Sequence, residues 1–259
     1  MNVPADIAVR VEHLHTAFGA RVIHDDVSFD VRRGEVFGIL GGSGSGKSVL
    51  LRHIMGLYRP QRGRVLIEGE DIAQAEGEQR VELLKRIGVM YQLGALFGSM
   101  TLLQNVRLPL EMHTRLDDDA MDLIARMKLD LVGLKGFEEY LSAQISGGMV
   151  KRAAIARAMA LDPSILMLDE PSAGLDPVTS AGLDQLILRL RDALGITVIV
   201  VTHELPSIYA IADRVIMLDK HSKGIIAEGP PQTLREQSDN PWVQRFFNRE
   251  PEEVEANSA

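Results

Sequence analysis

Eight consecutive residues set the terms for the chain: Gly41, Gly42, Ser43, Gly44, Ser45, Gly46, Lys47 and Ser48. They match the spacing G-x-x-x-x-G-K-[ST]. An unbroken apolar run over 36–40 leads into them, and a helical pattern begins as they end. A buried strand, a glycine-rich loop and a helix in that order place a helix N-terminus at the edge of a sheet. Glycines let the backbone fold around phosphates with its N–H groups inward. The helix N-terminus adds positive potential. Lys47 is long enough for the β- and γ-phosphates, and the Ser48 hydroxyl suits Mg²⁺. A flexible Gly/Ser linker would need neither the strand in front nor the Lys-Ser ending. By itself the loop implies only a nucleoside triphosphatase.

The rest of the pattern supplies a sheet for that loop. Val9 and Val11, then Val27, Phe29 and Val31, alternate with polar residues and predict antiparallel strands. Residues 65–67, closed by Gly69, read as a further strand, and 215–218 with 225–227 as a hairpin around Gly224. Residues 165–168 are apolar and end at Asp169-Glu170; 196–201, broken only by Thr197, end at Thr202-His203. Strands separated by helices predict a parallel α/β core. From about 93 to 160 the pattern is mostly helical. There Asp119 is expected to cap a helix carrying Leu123, Ile124, Met127 and Leu131 on one face.

Asp169 falls at the C-terminal edge of its strand, where open α/β sheets bind ligands. It suits Mg²⁺ coordination through water. Glu170 is placed to orient or deprotonate an attacking water. Alone, the pair reads equally as a helix cap before Pro171; the phosphate loop favours chemistry. His203 is suited to donate to a γ-phosphate or to hold Glu170 and the water in line. His13, His15, His24, His53, His113 and His221 read as structural or exposed, and His13-x-His15 lacks acidic or cysteine companions for a metal.

Bulk properties exclude several classes. Lys and Arg number 28 against 36 Asp and Glu, a net charge of −8, which gives no support to nucleic-acid binding. There are no cysteines, so disulfides and Cys-based zinc sites are excluded. The start has no signal-peptide core, and no run reaches the roughly 18 apolar residues of a membrane span. The chain is not expected to cross a membrane, and any membrane role would come through a partner.

Ser146-Gly147-Gly148-Met149 is an odd way to open an Ala-rich, basic helix, because each glycine costs roughly 1 kcal/mol relative to Ala. Taken in order, GGSGSGKS, Gln92, ISGGM, ILMLDE, SAGLD and His203 resemble the ATP-binding subunits of ABC transporters. There these motifs are named Walker A, Q-loop, signature, Walker B, D-loop and H-loop. The resemblance implies an α/β P-loop NTPase of the ABC ATPase type. Its parts would be a RecA-like core, an N-terminal antiparallel β subdomain and a helical signature subdomain. It covers residues 5–240, with the helical part over about 93–160. Residues 241–259 form a C-terminal extension whose end, from about Glu250, is expected to be disordered.

The resemblance also carries roles onto matching residues. Ser146 and the N–H groups of Gly147 and Gly148 would serve the ATP of an opposite subunit, so two copies would close head-to-tail as a homodimer around two ATPs. Phe18, where the family stacks a Tyr on adenine, keeps the π face and loses only the hydroxyl. Gln92 would contact Mg²⁺ or water and sense the partner. Asp176 would cross the dimer interface, or cap the helix that begins at Pro177. Lys151 and Arg152 are left without a role and read as a solvated face.

The stretch 91–114 lies where the family receives the coupling helix of an integral membrane permease. Leu93, Ala95, Leu96, Phe97 and Met100 would form an apolar receiving groove, or in part ordinary core. Gly94-Ala95-Leu96-Phe97, Asn105-Val106 and the Met149 of ISGGM look like the ATPases of Mla/Mce-type phospholipid transporters. That subgroup implies a peripheral ATPase at the cytoplasmic face of a bacterial inner membrane. It would power phospholipid movement between inner and outer membranes and maintain outer-membrane lipid asymmetry. The complex, not this chain, would handle the phospholipid. A STAS-domain subunit and an Mce-domain lipid-binding protein are the further partners implied. Trp242, Phe246 and Phe247 in 240–250 would anchor a neighbouring subunit or pack on the chain's own body. The alternative is the ATPase of a different ABC transporter, a solute importer or a lipoprotein-releasing system. Repair and translation members are disfavoured, since only one cassette is present and Gln92 and Ser146 stand too close for a long coiled coil.

Overall fold

The computed structural model describes residues 6–250. The expected domain start at residue 5 and the expected disordered end of the extension lie outside the described residues. The chain begins with β1 (Ile7–Phe18), β2 (Arg21–Arg32), β3 (Val36–Gly41), α1 (Lys47–Ile54), β4 (Arg62–Ile67) and β5 (Glu70–Asp71). There follow α2 (Gly77–Lys85), β6 (Ile87–Met90), α3 (Leu102–His113), α4 (Asp118–Leu131), α5 (Gly147–Ala158), β7 (Ile165–Asp169) and α6 (Pro177–Leu194). The last elements are β8 (Thr197–Val201), α7 (Leu205–Ile211), β9 (Arg214–Leu218), β10 (Ile225–Gly229), α8 (Pro231–Gln237) and α9 (Pro241–Asn248).

Two sheets result. One is antiparallel, in the order β2-β1-β4-β5; the other runs β10-β9-β3-β8-β7-β6 and is parallel except for β10. Its central strands are apolar without alternation because both faces are covered. Successive side chains nevertheless part company with period two. Leu166, Leu168, Val198 and Val200 join the core under α3 to α6, while Ile165, Met167, Ile199 and Val201 join the core shared with β1, β2, β4 and α1. The parallel register aligns the C-terminal ends. Ile39 and Asp169 both pair with Val201, and Met90 pairs with Leu168. The residues that follow these strands therefore share one sheet edge.

Three local findings correct or extend the sequence reading. The cap of α4 is Asp117, whose side chain accepts from the Ala120 N–H at 2.8 Å, not Asp119. Its buried stripe is Met121, Ala125 and Leu129, while Leu123, Met127 and Leu131 are exposed. The helix carries two apolar stripes, and periodicity alone does not say which one a neighbour covers. The edge strand β6 and helix α2 carry no strong pattern. β6 has four residues, and its Gly88 is pressed against the Ala158 carbonyl, where a side chain would not fit. His13 and His15 do meet acidic companions, across the β1–β2 pairing: Asp26 at 2.6 Å and Asp25 at 2.8 Å. Among the described residues no cluster of three or more His, Cys, Asp or Glu is placed for a metal, and no helix is long and apolar enough to cross a membrane.

Candidate functional site

The loop between β3 and α1 cannot be built from ordinary residues. Gly41 has φ +145°, and a Cβ there would lie 2.6 Å from Ser45 Oγ. Gly46 has φ +96°, and a Cβ there would lie 2.5 Å from His24 Nε2. His24 is fully buried beneath the loop with both ring nitrogens unpartnered. Burial, with the nearby His53 second, pushes its pKa down to about 4. Lys47 Nζ donates to the carbonyls of Gly41 at 2.7 Å and Gly42 at 3.1 Å. Burial lowers its pKa while Glu170 and Asp169 oppose that shift. Ser43, Gly44 and Ser48 are exposed, and the buried Ser45 Oγ has no protein partner. Phe18, half exposed at the end of β1, meets Tyr58 edge-on at 5.8 Å. It shares a cleft of about 310 Å³ with Arg21, Ile23 and loop residues 44–49.

Beside the loop stand Asp169 and Glu170. Desolvation and then the adjacent Glu170 raise the Asp169 pKa, against the pull of Arg52, Lys47 and Lys151. Glu170 is a non-glycine residue with φ +48°, a conformation that costs of order 1–3 kcal/mol and persists only where surroundings impose it. Its N–H donates to the Val201 carbonyl at 2.8 Å. His203 Nδ1 lies 2.8 Å from Glu170 Oε1, while Oε2 is buried without a protein partner. If Nδ1–H donates to that carboxylate, a neutral His203 presents Nε2 only as an acceptor. This rotamer therefore suits orientation of Glu170; donation to a phosphate would need the imidazolium. Gln92 follows β6, exposed on the same edge.

A second patch is formed at the start of α5. Ser146 caps it, its Oγ accepting from the Met149 N–H at 3.3 Å. Gly147 is exposed, and a Cβ there would sit in ordinary contact, 3.7 Å from Leu175. Gly148 is buried, and a Cβ there would overlap the Thr179 side chain, which Asp176 holds by a 2.5 Å hydrogen bond. Packing within the chain thus explains Gly148 but not Gly147. Asp176 caps α6, accepting from the N–H groups of Val178 at 3.0 Å and Thr179 at 3.1 Å. The Thr179 hydroxyl is the chief reason its pKa is lowered.

The structure thus brings residues 41–48, Gln92, Asp169, Glu170 and His203 to one sheet edge, places Phe18 across a cleft from the loop, and sets Ser146, Gly147, Gly148 and Asp176 at two adjoining helix starts. It corrects the solvated reading of Lys151 and Arg152. Lys151 is buried and donates to the carbonyls of Gln92 and Glu170, and Arg152 donates to the Val132 carbonyl at 3.1 Å. The signal for Lys151 was its place three residues after Gly148 and four before Ile155, on the face that buries. In the stretch after Gln92, Leu93, Ala95 and Phe97 are exposed, with Leu93 at 88%, whereas Leu96 packs on the core. The tail aromatics lie against the chain's own body. Val243 and Phe247 are buried with Leu40 and Leu205, and Trp242 touches Gly42 closely enough that a Cβ there would lie 3.3 Å from the ring.

With this geometry in hand, three comparisons bear on the molecule. The family model described as ABC transporter matches residues 24–173. The "Probable ribonucleotide transport ATP-binding protein mkl" of Mycobacterium leprae is 42% identical over 95% of this chain and 70% of that protein. The "Intermembrane phospholipid transport system ATP-binding protein MlaF" is 39% identical in Haemophilus influenzae, over 91% of this chain and 89% of that protein. The Escherichia coli K12 protein of the same name is 41% identical over 89% and 84%. Among solved structures, cbiO1 of Clostridium perfringens, part of the ABC transporter complex cbiONQ, superposes with a TM-score of 0.82 at 28% identity, covering 90% of this chain and 92% of its own. The ATP-binding cassette MJ0796, a dimer in a post-hydrolysis state bound to ADP and Pi, gives a TM-score of 0.76 at 30% identity, covering 86% and 98%.

Proposed function

The chain belongs to the ABC transporter family, and on that premise we propose that it is the ATP-hydrolysing subunit of a bacterial phospholipid transporter. It would act at the cytoplasmic face of the inner membrane, moving phospholipid between inner and outer membranes and maintaining outer-membrane lipid asymmetry. The observation that carries the catalytic part is the Glu170–His203 pair, 2.8 Å apart, on the sheet edge that also bears Lys47. For the cargo, the support is the resemblance to MlaF along nearly the full length of both chains, 91% and 89%.

ATP lies with its adenine against Phe18 and its phosphates in residues 41–48. Lys47 exchanges its two loop carbonyls for phosphate oxygens. Glu170 Oε2, the unpartnered carboxylate oxygen, receives the attacking water, and His203 fixes the carboxylate through Oε1. The neighbouring donors fit a divalent cation: the Ser48 hydroxyl, the Asp169 carboxylate and the Gln92 amide oxygen are all hard oxygen ligands. The upward push of Glu170 on Asp169 is the repulsion a cation there would relieve. Mg²⁺ bound by these residues would neutralise phosphate charge. Ser146, Gly147 and Gly148 of a second copy complete the site, and the chain's own packing does not require Gly147 to lack a side chain. Asp176 faces that copy while capping α6. The exposed Leu93, Ala95 and Phe97 receive the membrane permease, and a STAS-domain subunit and an Mce-domain protein complete the assembly.

The ribonucleotide named for the mycobacterial relative is the second reading, and it concerns cargo rather than chemistry. One experiment separates the two. The chain is purified from membranes with its partners, the proteins and bound lipids are identified by mass spectrometry, and phosphate release is measured on the intact complex. An Mce-type permease with co-purifying phospholipid supports the proposal; a complex that carries ribonucleotide and no phospholipid overturns it.

A further inference from the structure

Lys151, expected on a solvated face, is buried instead. Its helix, α5, begins at the exposed Gly147, yet Lys151 faces inward. Its ammonium donates to the main-chain carbonyl of Gln92 and, at 3.3 Å, to that of Glu170. Those carbonyls follow β6 and β7, neighbouring strands in register at Met90 and Leu168. Six residues on, Arg157 donates to the carbonyls of Ala95 at 2.7 Å and Gly94 at 3.1 Å. The segment after β6 is therefore tied to α5 at two points, while Leu93 between them is almost wholly exposed.

The Glu170 end is a place where backbone position matters. Its φ of +48° is held from one side by the Val201 carbonyl and from the other by contacts to its own carbonyl, which accepts from Lys151 and from the Ala173 N–H at 3.3 Å. The carbonyl is not left unsatisfied without the lysine, so Lys151 restrains position more than it fills a hydrogen-bonding need. A lysine also costs desolvation there, which lowers its pKa against the pull of Glu170, Asp169 and Glu204. A neutral residue would avoid that cost; the ammonium offsets it through the two carbonyls it holds.

We propose that Lys151 is a positioning residue that ties the backbone at Gln92 to the backbone at Glu170. A displacement of the exposed segment around Leu93 thereby reaches the Glu170 carboxylate. This rests on the reading above that Glu170 acts on the attacking water.

The test uses the full chain in its complex purified from membranes. Lys151→Met keeps the length and removes the donors; Lys151→Arg keeps donors able to bridge two carbonyls. For Lys151→Met, kcat falls about 10- to 100-fold, the loss expected for a charge-assisted hydrogen bond that acts on the transition state. KM for ATP stays within about twofold, because the phosphate-loop contacts are untouched. Lys151→Arg recovers most of kcat. Wild-type kcat in folded Lys151→Met overturns the proposal, as does a loss carried by KM instead of kcat. If Lys151→Met does not fold, Lys151→Leu, which also has no donor, carries the same kcat and KM criteria. Glu170→Gln in the same preparation separates the two failures. Wild-type turnover in that variant overturns the catalytic reading itself. Loss there with wild-type turnover in Lys151→Met overturns only the role of Lys151.

Discussion

The phosphate loop and the signature helix start both present backbone N–H groups at a helix N-terminus, yet they are built in opposite ways. Around the loop, side chains of the same chain converge: Lys47 folds onto Gly41 and Gly42, His24 packs beneath Gly46, and Glu170 is held by His203. At the signature, Ser146 and Gly147 are exposed, and the hydrogen bonds of Ser146 and Asp176 stay within their own helix starts. One half can be judged from the chain's own packing. The other has a feature, the bare Gly147, that the chain's own packing does not require. That asymmetry is what two incomplete halves of a shared site would show.

Four perturbations bear on this comparison. The largest effect is expected for Glu170→Gln, which removes the carboxylate proposed to act on water while leaving both halves in place. Hydrolysis should fall by about 10²- to 10⁴-fold while ATP still binds and closed dimers accumulate on size exclusion; monomers with ATP present would break the two-halves account. Next, Lys47→Ala should weaken nucleotide binding about 10- to 100-fold. The fluorescence of Trp242, the chain's single tryptophan and a neighbour of Gly42, reads that binding directly.

The third perturbation separates the two signature glycines. Gly147→Val should abolish hydrolysis with little change in Tm, whereas Gly148→Ala should cost about 1–3 kcal/mol of stability through overpacking on Thr179. Mixing Lys47→Ala with Gly147→Val should restore activity that neither has alone, since one site of each mixed dimer is intact. No recovery at any ratio, with mixed dimers demonstrated, would argue against head-to-tail sharing.

The smallest effect is pH-dependent and confined to the phosphate-loop half. His24 is depressed from 6.5 to about 4 on folding, so between these values the unfolded chain binds the extra proton. Its stabilising contribution is complete above about 6.5 and is lost as pH falls toward about 4, by up to roughly 1.4 kcal/mol per pH unit. Denaturant midpoints measured down to about pH 5 should fall less steeply in His24→Phe than in the wild type. Equal slopes would remove His24 as the titrating group.

Much of this site could be read without coordinates because its chemistry is written in consecutive residues. GGSGSGKS, Asp169-Glu170 and His203 each follow an apolar strand, and period and spacing suffice to align them. The readings that needed correction concerned faces. Leu123, Met127 and Leu131 form as regular a stripe as Met121, Ala125 and Leu129, and only the neighbouring helices select which is buried. Lysine is usually solvated, but the two carbonyl partners that bury Lys151 lie 59 and 19 residues away, beyond the reach of local pattern.

By itself, then, the sequence determined the strand–loop–helix units and the set of functional groups they carry, because local periodicity and backbone freedom are properties of neighbouring residues. Only the tertiary structure decided that the Glu170 backbone sits in a left-handed conformation held between Val201 and Lys151, that Gly148 is bare for Thr179 while Gly147 is not, and that Trp242 lies on Gly42. Each of those is a contact between segments far apart in the chain, fixed by the register of the parallel sheet and by which helix face the core could cover.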